Sequence, residues 1–143
     1  AYNVGSIFRT ADGMGAEKMF LSGYTCTPPR KDLAKTALGA ELSVDWEYDE
    51  DQIQLAKKIK DNGINLVLLE HTKHSKSIYE FEWKFPTCII LGNEVSGVSE
   101  NLINMCDTHL EIPMRGIKQS LNVAVAAGII GYEVLRYYNM YEK

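Results

Sequence analysis

Three stretches of this 143-residue chain carry residue types at spacings that could do chemistry. Leu91-Gly92-Asn93-Glu94-Val95-Ser96-Gly97-Val98-Ser99-Glu100 leaves an apolar run. Its two glycines let backbone approach a ligand closely, and Asn93 and Glu94 supply polar groups. Ile112-Pro113-Met114-Arg115-Gly116-Ile117-Lys118-Gln119-Ser120-Leu121-Asn122 also leaves an apolar run and enters a helical pattern through small and polar residues. Either stretch alone is compatible with a tight strand-to-helix turn; their joint occurrence is harder to explain as turns. The third, Asn3-Val4-Gly5-Ser6-Ile7-Phe8-Arg9-Thr10-Ala11, puts a guanidinium on a short helical pattern, where by itself Arg9 reads as a solvated or ion-paired surface residue. His71-x-x-His74 has a spacing a metal can use, but no third ligand is evident and a polar loop is the simpler account.

Such loops need strands and helices to position them, and the hydrophobic periodicity supplies both. Asn3, a natural N-cap type, precedes Val4, Ile7, Phe8 and Ala11 at helical spacing, and Gly13 and Gly15 close that helix. A strand over Lys18–Ser22 follows, then a break at Pro28 and Pro29, a short helical piece over Lys31–Ala37 and a strand over Val44–Tyr48. Asp49 caps a helix with Ile53, Ala56 and Ile59 on one face, ending at Asn62-Gly63. Asn65–Leu69, Thr87–Leu91 and Thr108–Ile112 read as apolar strands, with a helix capped by Ser99 running through Met105. A last helix spans about Asn122 to Tyr138, and Ser120 and Asn122 are both good caps for it. Strands alternating with helices, several apolar on both faces, imply an α/β fold with a mainly parallel sheet flanked by helices. In such sheets ligands sit beyond the carboxyl ends of strands, where the two glycine-containing loops fall.

Composition narrows the function classes. Hydrophobic residues are 45% and charged residues 24%, ordinary globular usage, and the length suits one domain, residues 1–143, with its own core. A formal charge of −4 argues against a generic nucleic-acid coat, so an RNA partner needs a local basic patch. Lys18, Arg30, Lys31, Lys35, Arg115 and Lys118 can supply it, most densely over Arg30 to Lys35. Three widely spaced cysteines, Cys26, Cys88 and Cys106, suggest neither a disulfide framework nor a thiolate zinc site, and a cytoplasmic setting is expected. The longest apolar run, Val123 to Ile130, is far short of the ~20 residues that span a bilayer. No charged-then-apolar leader opens the chain, so neither membrane insertion nor secretion is expected.

Taken together, Asn-x-Gly-x-x-x-Arg at Asn3 to Arg9, Leu-Gly-Asn-Glu-x-x-Gly at Leu91 to Gly97, Ile-Pro-Met at Ile112 to Met114 and Ser-Leu-Asn at Ser120 to Asn122 resemble the motifs of the SpoU (TrmH-like) RNA ribose methyltransferases. The order and combination are far more restrictive than a lone glycine motif, and the resemblance runs over residues 3 to about 135. It implies a SPOUT-type domain whose C-terminal part, here about Thr87 to Val134, threads a loop to form a deep trefoil knot; ordinary topology rules would not suggest one. It implies S-adenosylmethionine as cofactor, held by Leu69, Glu70, Gly92, Ile112, Met114, Ser120 and Leu121, several through backbone groups.

The implied reaction is methyl transfer to a ribose 2′-hydroxyl of tRNA or rRNA. Arg9 would act on the 2′-hydroxyl. A guanidinium stays protonated under ordinary conditions, so stabilising the developing alkoxide is an easier role for it than proton abstraction. Asn3 and Asn122 would orient Arg9 and substrate, Glu94 would brace its loop or pair with an arginine, and Ser120 would bind phosphate. No metal is implied. The resemblance also implies a homodimer with the knot at the interface, which the aromatic terminal helix with Tyr132, Tyr137, Tyr138, Met140 and Tyr141 suits. Because the chain opens almost on the first motif, where members carry a strand ahead of it, a segment before Ala1 is an expectation. The rival readings are a non-catalytic module of the same fold that binds RNA or S-adenosylmethionine, a base methylase of a related knotted fold, and an ordinary nucleotide-binding α/β domain. Ser-Leu-Asn disfavours the base methylase, and no Gly-x-Gly-x-x-Gly follows an early strand.

Overall fold

The structure, a computed structural model, describes residues 1–92 and 98–142. Its contacts divide the chain into two compact units, Ala1–Gln52 with Ala127–Lys143, and Ile53–Ala126.

In the first unit, helix α1 (Tyr2–Met14) buries Gly5, Phe8 and Ala11, a stripe with a period of three residues. Asn3 is not its cap. The amide of Gly5 donates to the carbonyl of Ala1 at 3.0 Å, so the helix starts two residues earlier than side-chain type suggested and Asn3 lies inside its first turn. Gly15, at φ 76°, ends it in the left-handed conformation that glycine adopts without penalty. α1 packs on α2 (Lys31–Ala37) and on a short helix the periodicity did not reveal, α3 (Ala40–Ser43). Strands β1 (Lys18–Ser22) and β2 (Asp45–Asp49) pair in parallel, Lys18 opposite Asp45 through Ser22 opposite Asp49. β2 starts one residue later than expected because Val44 is buried at the end of α3. Phe8, Leu21, Leu33, Ala37 and Val44 form the centre of this unit's core.

The C-terminal helix α6 (Val123–Tyr141) gives its later turns to this unit, burying Ala127, Ile130, Gly131 and Val134. Glu133 is also buried there, and Arg136 neutralises it with two hydrogen bonds of 2.9 and 2.8 Å.

The second unit holds a four-stranded, all-parallel sheet in the order β4 (Lys76–Ser77), β6 (Thr108–Glu111), β3 (Asn65–Leu69), β5 (Thr87–Leu91). β3 lies between β6 and β5 and buries Leu66, Val67 and Leu68 in succession, as a strand covered on both faces should. β4 was not foreseen: two residues offer no alternation to read. Helix α4 (Gln52–Asp61) buries Leu55, Ala56 and Ile59, whereas Ile53 of the expected face is 36% exposed. Asp49 does not cap α4, because its carboxylate accepts the Asp51 amide at 2.9 Å in a turn ahead of the helix. Ser99 does cap α5 (Glu100–Met105), its hydroxyl accepting the Leu102 amide at 3.3 Å. With every strand pairing parallel and helices between most of the strands, the chain is an α/β protein.

Candidate functional site

The carboxyl ends of β3, β5 and β6 and the segment that leads into α6 enclose a cavity of about 330 Å³ in the second unit. That volume falls within the range of small-molecule sites. β3 contributes Leu69 and, just past its end, Glu70; β5 contributes Leu91 followed by Gly92; Ile112 and Met114 follow β6; Ser120 and Leu121 come next. All seven residues that the family resemblance implied for a cofactor therefore line one cavity.

Their positions follow from the sheet. The Glu70 amide donates to the Leu110 carbonyl at 2.9 Å, prolonging the β3–β6 pairing by one residue and bringing the chain past Leu69 to the cavity. Glu70 Oε2 is buried and accepts no hydrogen bond among the described residues. A buried carboxylate oxygen without a donor is costly, and this one stands at the cavity wall with acceptor capacity free among the described residues. Glu111, at the end of β6, is tied instead: Ser75 Oγ donates to its Oε1 at 2.5 Å, and His71 Nδ1 lies 3.3 Å from its Oε2.

Sequence reasoning missed His71, Glu111 and Gln119, which also line the cavity. The available signal was positional, since the residue that closes an apolar parallel strand faces the ligand crevice. His74 does not join His71; its amide donates to Thr72 Oγ1. Among the described residues no group of three His, Cys, Asp or Glu side chains could hold a metal ion.

The expected catalytic residues distribute as follows. Ser120 lines the cavity, and two residues on, Asn122 Oδ1 accepts the Ala124 amide at 2.9 Å and so caps α6. Arg9, exposed, and Asn3 both lie on α1 in the first unit. Glu94 lies outside the described residues. Of the basic residues, Arg30 is held by two hydrogen bonds to Asp32, of 2.9 and 2.6 Å. That pairing raises the Arg30 pKa and holds the Asp32 carboxyl below its usual range. The densest basic cluster is thus partly neutralised, leaving Lys31 and Lys35 on α2.

An α/β chain with parallel strands whose motif residues converge on one strand-end cavity belongs to the SpoU rRNA Methylase family, whose sequence model matches residues 1–132. Among its relatives, a tRNA (guanosine(18)-2′-O)-methyltransferase of Aquifex aeolicus is 32% identical over 136 residues, covering 94% of this chain and 64% of the relative. A 23S rRNA (uridine(2479)-2′-O)-methyltransferase of Streptomyces viridochromogenes is 30% identical, with 94% and 48% covered. The crystal structure of the SpoU methyltransferase AviRb from Streptomyces viridochromogenes in complex with the cofactor AdoMet superposes with a TM-score of 0.87 at 28% identity, over 97% of this chain and 56% of that one. The chain spans less than two thirds of the length of these proteins.

Proposed function

We propose that the chain acts as a single methyltransferase domain that uses S-adenosylmethionine to methylate a ribose 2′-hydroxyl of tRNA or rRNA. The observation that carries this reading is the convergence of Leu69, Glu70, Gly92, Ile112, Met114, Ser120 and Leu121 on one cavity. The cavity suits that cofactor: aliphatic side chains offer an apolar slot, and Glu70 Oε2, without a partner among the described residues, offers an acceptor to a hydroxyl or ammonium group. When bound, S-adenosylmethionine supplies an electrophilic sulfonium methyl.

The protein's own work is orientation and charge. The Arg9 guanidinium stabilises the negative charge that grows on the 2′-oxygen as its proton passes to solvent water. Ser120 binds the substrate phosphate, and Asn3 and Asn122 orient Arg9 and the substrate. The cap at Asn122 holds that side chain still, so capping and orientation are compatible. The family resemblance extends the reading to a knotted C-terminal region, a homodimer and a cytoplasmic setting. Tyr132, Tyr138, Met140 and Tyr141 are each exposed on α6, and this apolar, aromatic surface supports the dimer. Among the described residues no helix is long and apolar enough to cross a membrane.

The test is methyl transfer from labelled S-adenosylmethionine to total tRNA and rRNA, alongside calorimetric titration of the cofactor, for the wild type and Arg9→Ala. Transfer that Arg9→Ala abolishes while cofactor affinity is kept is the expected result. Failure of the wild type to bind the cofactor would remove the basis of the proposal.

A further inference from the structure

We propose that a second, open cavity, in the first unit, is a nucleobase slot that takes one unpaired base of the RNA substrate. This rests on the RNA reading above. The cavity, of about 590 Å³, lies between the segment 25–30 that follows β1 and one face of β2. Trp46 and Tyr48, two residues apart on β2, project from that face, and Thr25, Thr27, Pro29 and Arg30 form the opposite wall.

The lining decides the ligand chemistry. Two aromatic rings, a proline face and a planar guanidinium present flat surfaces, and the two threonine hydroxyls can meet the polar edge of a heterocycle. Arg30 would serve a phosphate if its charge were free, but Asp32 already takes two of its N–H donors. With its charge paired and its orientation fixed by Asp32, the guanidinium presents its flat face for stacking on a base, and its three remaining N–H donors can meet the base's polar edge. The cavity's open side suits a base presented by a strand better than an enclosed metabolite. Tyr24, adjacent in sequence and fully solvated, offers a further ring for a neighbouring base.

The slot is also built in advance. Tyr48 donates its hydroxyl to the Gly23 carbonyl at 2.5 Å, and the Thr25 amide donates to the Ser22 carbonyl at 3.1 Å. Cys26 and Trp46 each line the cavity and also pack against the core that contains Phe8. The walls are thereby fixed to the same core as α1, the helix that carries Arg9.

The test uses the intact protein and a fluorescently labelled single-stranded RNA hexamer, read by anisotropy and by photocrosslinking with 4-thiouridine followed by peptide mass spectrometry. Tyr48→Leu removes a ring, and Thr25→Trp fills the slot from an exposed position without entering the core. Each is expected to weaken binding about tenfold, the scale of one lost stacked base. Tyr48→Phe should stay within about twofold, with crosslinks in the peptides containing residues 24–30 or 46–48. Wild-type affinity in a folded Tyr48→Leu or Thr25→Trp, with crosslinks elsewhere, would overturn the slot and leave the RNA reading standing. Absence of RNA binding by the wild type would overturn both.

Discussion

Gly5 sits where α1 crosses α2, and a methyl group there has nowhere to go. A Cβ built on it would fall on Thr36 Oγ1 and on the backbone carbonyl of Leu33, closer than real Cβ contacts come, with the Ala37 amide 3.0 Å away. Thr36 can rotate, but only by giving up the 2.8 Å hydrogen bond it donates to the Tyr2 carbonyl, and Leu33 O belongs to a helix that cannot yield without moving. Overpacking of this kind costs about 1–3 kcal/mol. The lost hydrogen bond adds about 1 kcal/mol, and alanine's better helix propensity returns about 1 kcal/mol. The net is a destabilisation of about 2 kcal/mol for Gly5→Ala, or roughly 8 °C in Tm for a chain of this size.

The control is Gly128→Ala on α6, whose Cβ would meet nothing within 4 Å and which should be neutral or stabilising by up to about 1 kcal/mol. Thermal melts followed by circular dichroism, with urea midpoints as a check, measure both. A Gly5→Ala protein that melts at or above the wild-type temperature would refute the close crossing of α1 and α2. Because α1 carries Asn3 and Arg9, methyl transfer should fall with the displacement. On the proposed reading the cofactor occupies the second unit's cavity, so its affinity should hold.

Other expectations follow from single groups. Glu70→Gln replaces an acceptor that has no partner among the described residues by an amide of the same shape; S-adenosylmethionine affinity measured by calorimetry should drop about tenfold or more while Tm holds or rises. An unchanged affinity would detach Glu70 from the ligand. Burial pushes the thiols of Cys88 and Cys106 up to about 11, whereas an unfolded thiol ionises near 8.5. The unfolded state therefore sheds its protons first, so this stabilisation is complete below about pH 8.5 and is lost as pH rises to about 11. Cys106→Ala should flatten part of the fall in Tm across that window, and an identical profile would contradict it. If active sites are shared across a dimer, subunits carrying Arg9→Ala mixed with subunits carrying a filled cofactor cavity should regain activity. A monomeric mass at micromolar concentration would defeat the dimer itself.

Legibility differed with the physical source of each feature. β3 and β5 stand in the sequence as apolar runs bounded by turn residues, and both strands occupy the expected residues, Asn65–Leu69 and Thr87–Leu91. The start of α1 was misread because a good capping side chain at Asn3 marks only where a helix can begin, whereas Gly5 had already bonded to Ala1. The same error in the same terms put Asp49 at the head of α4. β4 exists only through its pairing with β6, Lys76 opposite Leu110 and Ser77 opposite Glu111, a long-range fact with no local signature.

The cavity was legible in its motif residues because those residues follow strand ends, and the strands could be read. His71 and Glu111 were not, because one looks like a loop residue and the other like the last residue of a strand until the sheet brings them within 3.3 Å. Gly5 was quoted as part of a motif, but its packing role needs α2, whose crossing point no local pattern announces.

The central claim is that the methyl group goes to a ribose oxygen and that Arg9 is required. The most direct measurement is the position of the label after RNA methylated with labelled S-adenosylmethionine is digested in alkali. A 2′-O-methyl group blocks cleavage of the adjoining phosphodiester, so label recovered in alkali-resistant dinucleotides, and absent with Arg9→Ala, is the predicted result. Label recovered in mononucleotides, which marks a methylated base, or transfer undiminished in Arg9→Ala, would contradict it.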